Sequence, residues 1–97
     1  KQVMILKNSI ASIPADIAKM TNLKKLDLTG NKLTSLPAEM GQLSNLETLK
    51  LNNNPLESLP AELANCKNLK SLSLKGTKVT ASQKAELQAK LPKCKIK

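Results

Sequence analysis

Two consecutive stretches of 23 residues say nearly the same thing. LKKLDLTGNKLTSLPAEMGQLSN occupies 23–45, LETLKLNNNPLESLPAELANCKN occupies 46–68, and the two agree at 11 positions. A fixed period of this length constrains the fold more than any other property of the chain, because each unit must stack on the next to bury its apolar positions. The unit reads L-x-x-L-x-L-x-x-N-x-L-x-x-L-P-x-x-(apolar)-x-x-(apolar)-x-N. Its second copy carries Leu46, Leu49, Leu51, Asn54, Leu56, Leu59, Pro60, Leu63, Cys66 and Asn68 at those places. One period earlier stand Val3, Ile5, Asn8, Ile10, Ile13, Pro14, Ile17, Met20 and Asn22. One period later stand Leu69, Leu72, Leu74 and Val79, with Thr77 where asparagine is due. Beyond Val79 the pattern breaks.

The unit has a physical reading position by position. Alternation in L-x-L puts two leucines on one side of an extended segment and their neighbours on the other. Each unit therefore opens with a short strand, near 3–5, 26–28, 49–51 and 72–74, and stacking makes these a parallel sheet with strands about 4.8 Å apart. The chain has no Phe, Tyr or Trp, although 40% of it is hydrophobic. Many similar aliphatic chains in register must then supply the core, as a repeat does. Asn8, Asn31 and Asn54 stand where the chain turns inward, and a buried amide there can bond backbone groups of adjacent turns. Thr77 offers a hydroxyl only and can do part of that task. In the return segments IPADI, LPAEM and LPAEL, proline suits the first position of a helical turn. Asp16, Glu39 and Glu62 follow where negative charge favours that end. These acids read as structural, and each return reads as one helical or 3-10 turn.

The tail TASQKAELQAKLPKCKIK is different in kind. Thr80 with Gln83 forms a capping-box pattern, 81–90 is rich in helix formers, and Pro92 ends the helix. Leu91, Cys94 and Ile96 then repeat the strand half of a unit, giving a final strand at 94–96.

These four copies resemble the leucine-rich repeat family in its 23-residue form with an LP dipeptide at the convex turn. The small size, lysine richness and LPKCKI ending are similar to short bacterial members. The resemblance covers 1–79, with 80–97 as a cap. The expected fold class is thus α/β: a leucine-rich repeat solenoid with a short curved parallel sheet on its concave side, short helical turns on its convex side and a C-terminal helix–strand cap. A single domain over 1–97 is expected, with repeats at about 1–22, 23–45, 46–68 and 69–90.

The resemblance implies that partners bind on the concave strand face, whose outward positions the repeat sets in rows. One row is Gln2, Lys25, Thr48, Ser71 and Lys93. The next is Met4, Asp27, Lys50, Ser73 and Lys95, and the third is Leu6, Thr29, Asn52, Lys75 and Lys97. Its N-terminal end is apolar, its middle small and polar, and its far end lysine. The expected function is noncatalytic protein–protein interaction with an unidentified protein partner.

Charge supplies the alternative. The formal net charge is +9 with no arginine, and residues 67–97 carry nine lysines against Glu86 alone. This reads first as a well-solvated end and second as a polyanion-binding or anionic-surface site using Lys70, Lys75, Lys93, Lys95 and Lys97. Nucleic acid is the less expected partner, because arginine and aromatic side chains are missing. A third reading is a self-associating structural piece: the first coil opens at Lys1 with no polar cap, so a homodimer through Val3 and Ile10 is expected.

Other classes fall away. There is no histidine, no Gly-rich phosphate loop and no clustered carboxylates, so neither enzyme activity nor a metal or cofactor is expected. Cys66 and Cys94 occupy apolar repeat positions about two coils apart and read as buried free thiols. No apolar run is long enough to span a membrane, and no signal peptide is read in these residues. Bacterial secreted and cytoplasmic locations both fit.

Overall fold

The structure, a computed structural model, describes the backbone of residues 2–5 and all of residues 11–97. Leu6, Asn8 and Ile10, and the side chains of Val3 and Met4, lie outside the described residues. Five strands form one parallel sheet in chain order: β1 (Gln2–Ile5), β2 (Leu23–Asp27), β3 (Thr48–Lys50), β4 (Ser71–Ser73) and β5 (Lys95–Ile96). Three 3-10 turns, Ala15–Lys19, Ala38–Gln42 and Ala61–Asn65, return the chain on the other side. The fourth return is the helix α1 (Ala81–Lys90). This is the open, one-directional solenoid that the repeat requires, because each strand can pair only with its predecessor and successor.

The alternating leucines form the layer beneath the sheet. Leu26, Leu28, Leu49, Leu51, Leu72 and Leu74 are all buried, none more than 1% exposed. Burying each such side chain stabilises the fold by about 1.5–3 kcal/mol. Leu33, Leu56 and Val79 close the layer behind the strands, and Ile17, Met40 and Leu63 fill it from the 3-10 turns.

Proline sits one position earlier than expected. Pro14, Pro37 and Pro60 are extended residues just before each turn, with ψ of 156°, 153° and 142°. Each offers its carbonyl to the N–H three residues on, at 3.1 Å in all three coils. The missing proline N–H costs nothing there, since a turn's first N–H groups have no internal acceptor.

Asparagine amides tie the coils together. Asn54 is 1% exposed. Its Nδ2 donates to Leu28 O of the preceding coil at 2.9 Å and to Leu51 O of its own at 3.0 Å. Its Oδ1 accepts from the Leu33 N–H at 3.1 Å. Asn31 Nδ2 likewise donates to Leu28 O, 2.8 Å. The Thr77 hydroxyl donates to Leu74 O of its own coil at 2.7 Å, the one part of the pattern that a hydroxyl reproduces. A second row of amides crosses coils lower down, Asn45 to Thr21 O and Asn68 to Ser44 O, both 2.8 Å.

Two registers differ from the 23-residue step. β1 pairs Val3 with Lys25, Met4 with Leu26 and Ile5 with Asp27, after an irregularity between Gln2 and Val3 that skips Lys24. At the other end, Ser71 pairs with Lys95 and Leu72 with Ile96. The Cys94 N–H donates to Leu91 O, as the Leu23, Leu46 and Leu69 N–H groups donate to Met20, Leu43 and Cys66 O. Cys94 therefore stands at the Leu69 position and Leu91 at the Cys66 position. Lys95 follows directly, so the final unit is one residue short. It also follows that Cys66 and Cys94 are one coil apart, not two; both are buried and free.

Candidate functional site

The outward strand positions form a concave face whose rows are fixed by the backbone ladder. Pairing of Lys25 with Thr48, Thr48 with Ser71 and Ser71 with Lys95 defines the first described row. The second is Asp27, Lys50 and Ser73, continued by Lys97. Lys97 is placed there by two bonds, its N–H to Leu72 O and the Leu74 N–H to Lys97 O, both 2.9 Å. Beyond the regular strands the ladder runs on through Leu28 N–H to Lys50 O, Gly30 N–H to Asn52 O and Asn53 N–H to Lys75 O. Thr29, Asn52 and Lys75 make the third row.

Sequence and structure agree on the membership of β2, β3 and β4 in this face, and differ at its two ends. Lys93 is an exposed residue of the turn before β5, not a strand residue. Lys95 moves from the Asp27 row to the Lys25 row. Met4 pairs with Leu26 rather than Asp27 in the backbone ladder. Leu6 lies outside the described residues. Lys97 moves from the Thr29 row to the Asp27 row, beside Ser73. No residue-type signal marks that shift, because Leu91, Cys94 and Ile96 keep the spacing of Leu69, Leu72 and Leu74.

Each polar residue of the face has a definable state. Lys25, Lys50, Lys75, Lys95 and Lys97 are exposed, whereas Thr29, Thr48, Asn52, Ser71 and Ser73 are half-buried among them. Asp27 Oδ1 accepts the Thr29 N–H at 3.0 Å, and Asn52 Oδ1 accepts the Lys75 N–H at 2.9 Å. These two side chains therefore shape the sheet's end as well as line its surface. The turn beyond uses positive φ at Gly30 (79°), Asn53 (59°) and Gly76 (75°), one per coil. Asn53 is the residue type besides glycine that tolerates this region.

The chemistry available is that of ammonium, hydroxyl and amide groups. Among the described residues no group of three His, Cys, Asp or Glu side chains could hold a metal ion, and no helix is long and apolar enough to cross a membrane. The thiols are the groups most altered by the fold. Burial pushes Cys66 up to about 11, and Cys94 is also raised by burial. Cys66 is fully buried and donates its S–H to Met40 O at 3.2 Å. A thiol held protonated in this way is a poor nucleophile. The surface depression lined by Leu59, Gln83, Glu86 and Lys90 lies between the third convex turn and the cap helix, away from the strand rows.

Comparison with known proteins gives a consistent answer. The model of the family described as "Leucine rich repeat" matches residues 1–56 and again 21–79. Among solved structures, a leucine-rich repeat protein of Leptospira interrogans is similar with a TM-score of 0.94 and 40% sequence identity, over 99% of this chain and 25% of that one. The chain thus spans about a quarter of the length of that protein. Among curated proteins none matches.

Proposed function

This chain belongs to the leucine-rich repeat family, and on that premise we propose that it is a noncatalytic module holding a protein partner across its concave strand face. The observation that carries the reading is the division of the strands. One side is a continuous buried leucine layer, and the other presents three laterally registered rows of exposed and half-buried polar side chains. A sheet cross-tied by buried amides such as Asn54 is rigid before it meets a partner, so binding loses little affinity to ordering it. The half-buried Thr48, Ser71 and Ser73 leave room for a partner to approach the sheet between the lysine columns. The 40% identity to a Leptospira protein supports a bacterial setting.

Selection from a random displayed-peptide library against the full chain tests this. Ligands so obtained should lose binding to Thr48→Trp and Ser71→Trp, which fill the face. They should keep it with Glu39→Trp and Glu62→Trp, which alter the convex turns. Loss confined to the convex substitutions would overturn the reading.

A further inference from the structure

We infer that the partner of the concave face is an acidic, extended polypeptide segment, read by a diagonal of lysines; this rests on the binding role proposed for that face. Lys25, Lys50 and Lys75 follow one another at 25 residues on a 23-residue repeat. The observed registers turn this excess into geometry. Lys25 belongs to the first row, Lys50 to the second and Lys75 to the third, each one strand further along. A step of one strand sideways (about 4.8 Å) and two residues forward (about 6.6 Å) separates successive Cα atoms by roughly 8 Å. An extended chain with an acid at every second residue presents carboxylates about 6.6 Å apart. Three long, flexible lysines at this pitch can meet such a series one to one.

Lysine outnumbers acid on this face. Its described rows hold five lysines against one carboxylate, Asp27, which already accepts the Thr29 N–H. The opposite side is balanced: the three 3-10 turns and α1 carry Asp16, Glu39, Glu62 and Glu86 against Lys19, Lys84 and Lys90. The strand face is thus clearly more positive than the convex side, and that charge steers and orients an acidic partner. The composition favours polypeptide over nucleic acid. The chain has no aromatic side chain on which a base could stack and no arginine fork for a phosphate. It has instead Thr48, Ser71 and Ser73 between the lysines, hydroxyls suited to peptide groups.

The probe is a labelled peptide of alternating Glu and Ser, titrated with the full chain and read by fluorescence anisotropy. At about 10 mM salt, where screening extends to about 30 Å, the peptide should bind, and it should bind more weakly at about 150 mM, where the length is about 8 Å. Lys25→Gln, Lys50→Gln and Lys75→Gln together should weaken it by at least about tenfold. The matched triple Lys19→Gln, Lys84→Gln and Lys90→Gln removes equal charge from the convex side and should change it less than about twofold. Equal loss in both triples would reduce the effect to net charge and overturn the inference. So would tighter binding of a single-stranded oligothymidylate of equal charge, or no peptide binding at low salt. Library ligands that need the concave face but are not enriched in Asp and Glu would sink the acidic partner and leave the binding role standing. Ligands lost only with the convex substitutions would remove both.

Discussion

Asn54 is the residue on which the stacking can be tested most sharply. Replacing it with alanine deletes bonds on both sides of the coil boundary. The Leu33 N–H loses the acceptor Asn54 Oδ1, and Leu51 O loses the Asn54 amide. Leu28 O is spared, because the Asn31 amide still donates to it at 2.8 Å. Two buried backbone groups are thus stripped of these partners, at about 1–3 kcal/mol each, so Asn54→Ala should cost about 2–6 kcal/mol. For a chain of this size the whole stability is about 5–15 kcal/mol. A graded control is built into the protein. Thr77 occupies the same position one coil later and keeps only the bond to its own coil, Leu74 O. Asn54→Thr should therefore retain the Leu51 bond, lose the Leu33 acceptor and cost roughly half as much, about 1–3 kcal/mol. The chain has no aromatic residue, so unfolding in urea is followed by far-UV circular dichroism. Each kcal/mol corresponds to about 4–8 °C in Tm. A loss below about 1 kcal/mol for Asn54→Ala, or equal losses for alanine and threonine, would refute the claim that this amide bridges the coils.

Two further outcomes follow from close packing and from burial. A Cβ built on Gly41 meets the backbone carbonyl oxygen of Glu62 and lies 2.9 Å from Glu62 Cβ. Gly41→Ala should therefore destabilise by about 1–3 kcal/mol in urea melts despite alanine's better helical propensity, and a gain in stability would contradict the spacing of the second and third turns. The Cys66 thiol, raised from 9.0 to about 11 by burial, holds its proton more tightly in the folded than in the unfolded chain. Its contribution is full below pH 9 and is lost as pH rises towards 11, by about 2–3 kcal/mol over the two units. Cys66→Ala should flatten this part of the alkaline stability curve, and an unchanged slope would refute the link between burial of this thiol and stability.

The strand phase was legible because leucine alternation is a period-two signal with one face wholly buried. Leu26, Leu49 and Leu72 could take no other role, and the helix 81–90 was equally plain from Thr80, Gln83 and Pro92. The register of β5 was not legible. L-x-x-C-x-I fits a unit whether Leu91 is equated with Leu69 or with Cys66, since both alignments place apolar residues inside. The i to i−3 bond from Cys94 to Leu91 decides between them, and that bond has no residue-type signature. At β1 the irregularity at Lys24 leaves no mark in a sequence read by counting 23. Charge is arranged differently on the fold than along the chain. Counted along the chain, lysine collects in residues 67–97. Folded, the lysines are sorted instead by strand parity, so that Lys25 and Lys50 join Lys75 on one face although two of the three lie in the nearly neutral part of the chain.

The same sorting clarifies how the repeat gives way to the cap. Coil by coil, an amide has to reach two carbonyls that the turning strand cannot satisfy for itself. Asn54 does so for Leu28 O and Leu51 O, and Thr77, with one hydroxyl proton, reaches Leu74 O alone. At the other end of the sheet, where the chain enters β5, the amide comes from a helix. Gln88 of α1 donates through Nε2 to Leu91 O at 2.9 Å and to Cys94 O at 2.7 Å, both in the approach to β5. A glutamine three residues before Leu91 can reach these groups only if the return segment is helical, and the Thr80–Gln83 box and ten helical residues provide that. Because Gln88 reaches both groups, the final unit can be one residue short without leaving Leu91 O or Cys94 O without a donor.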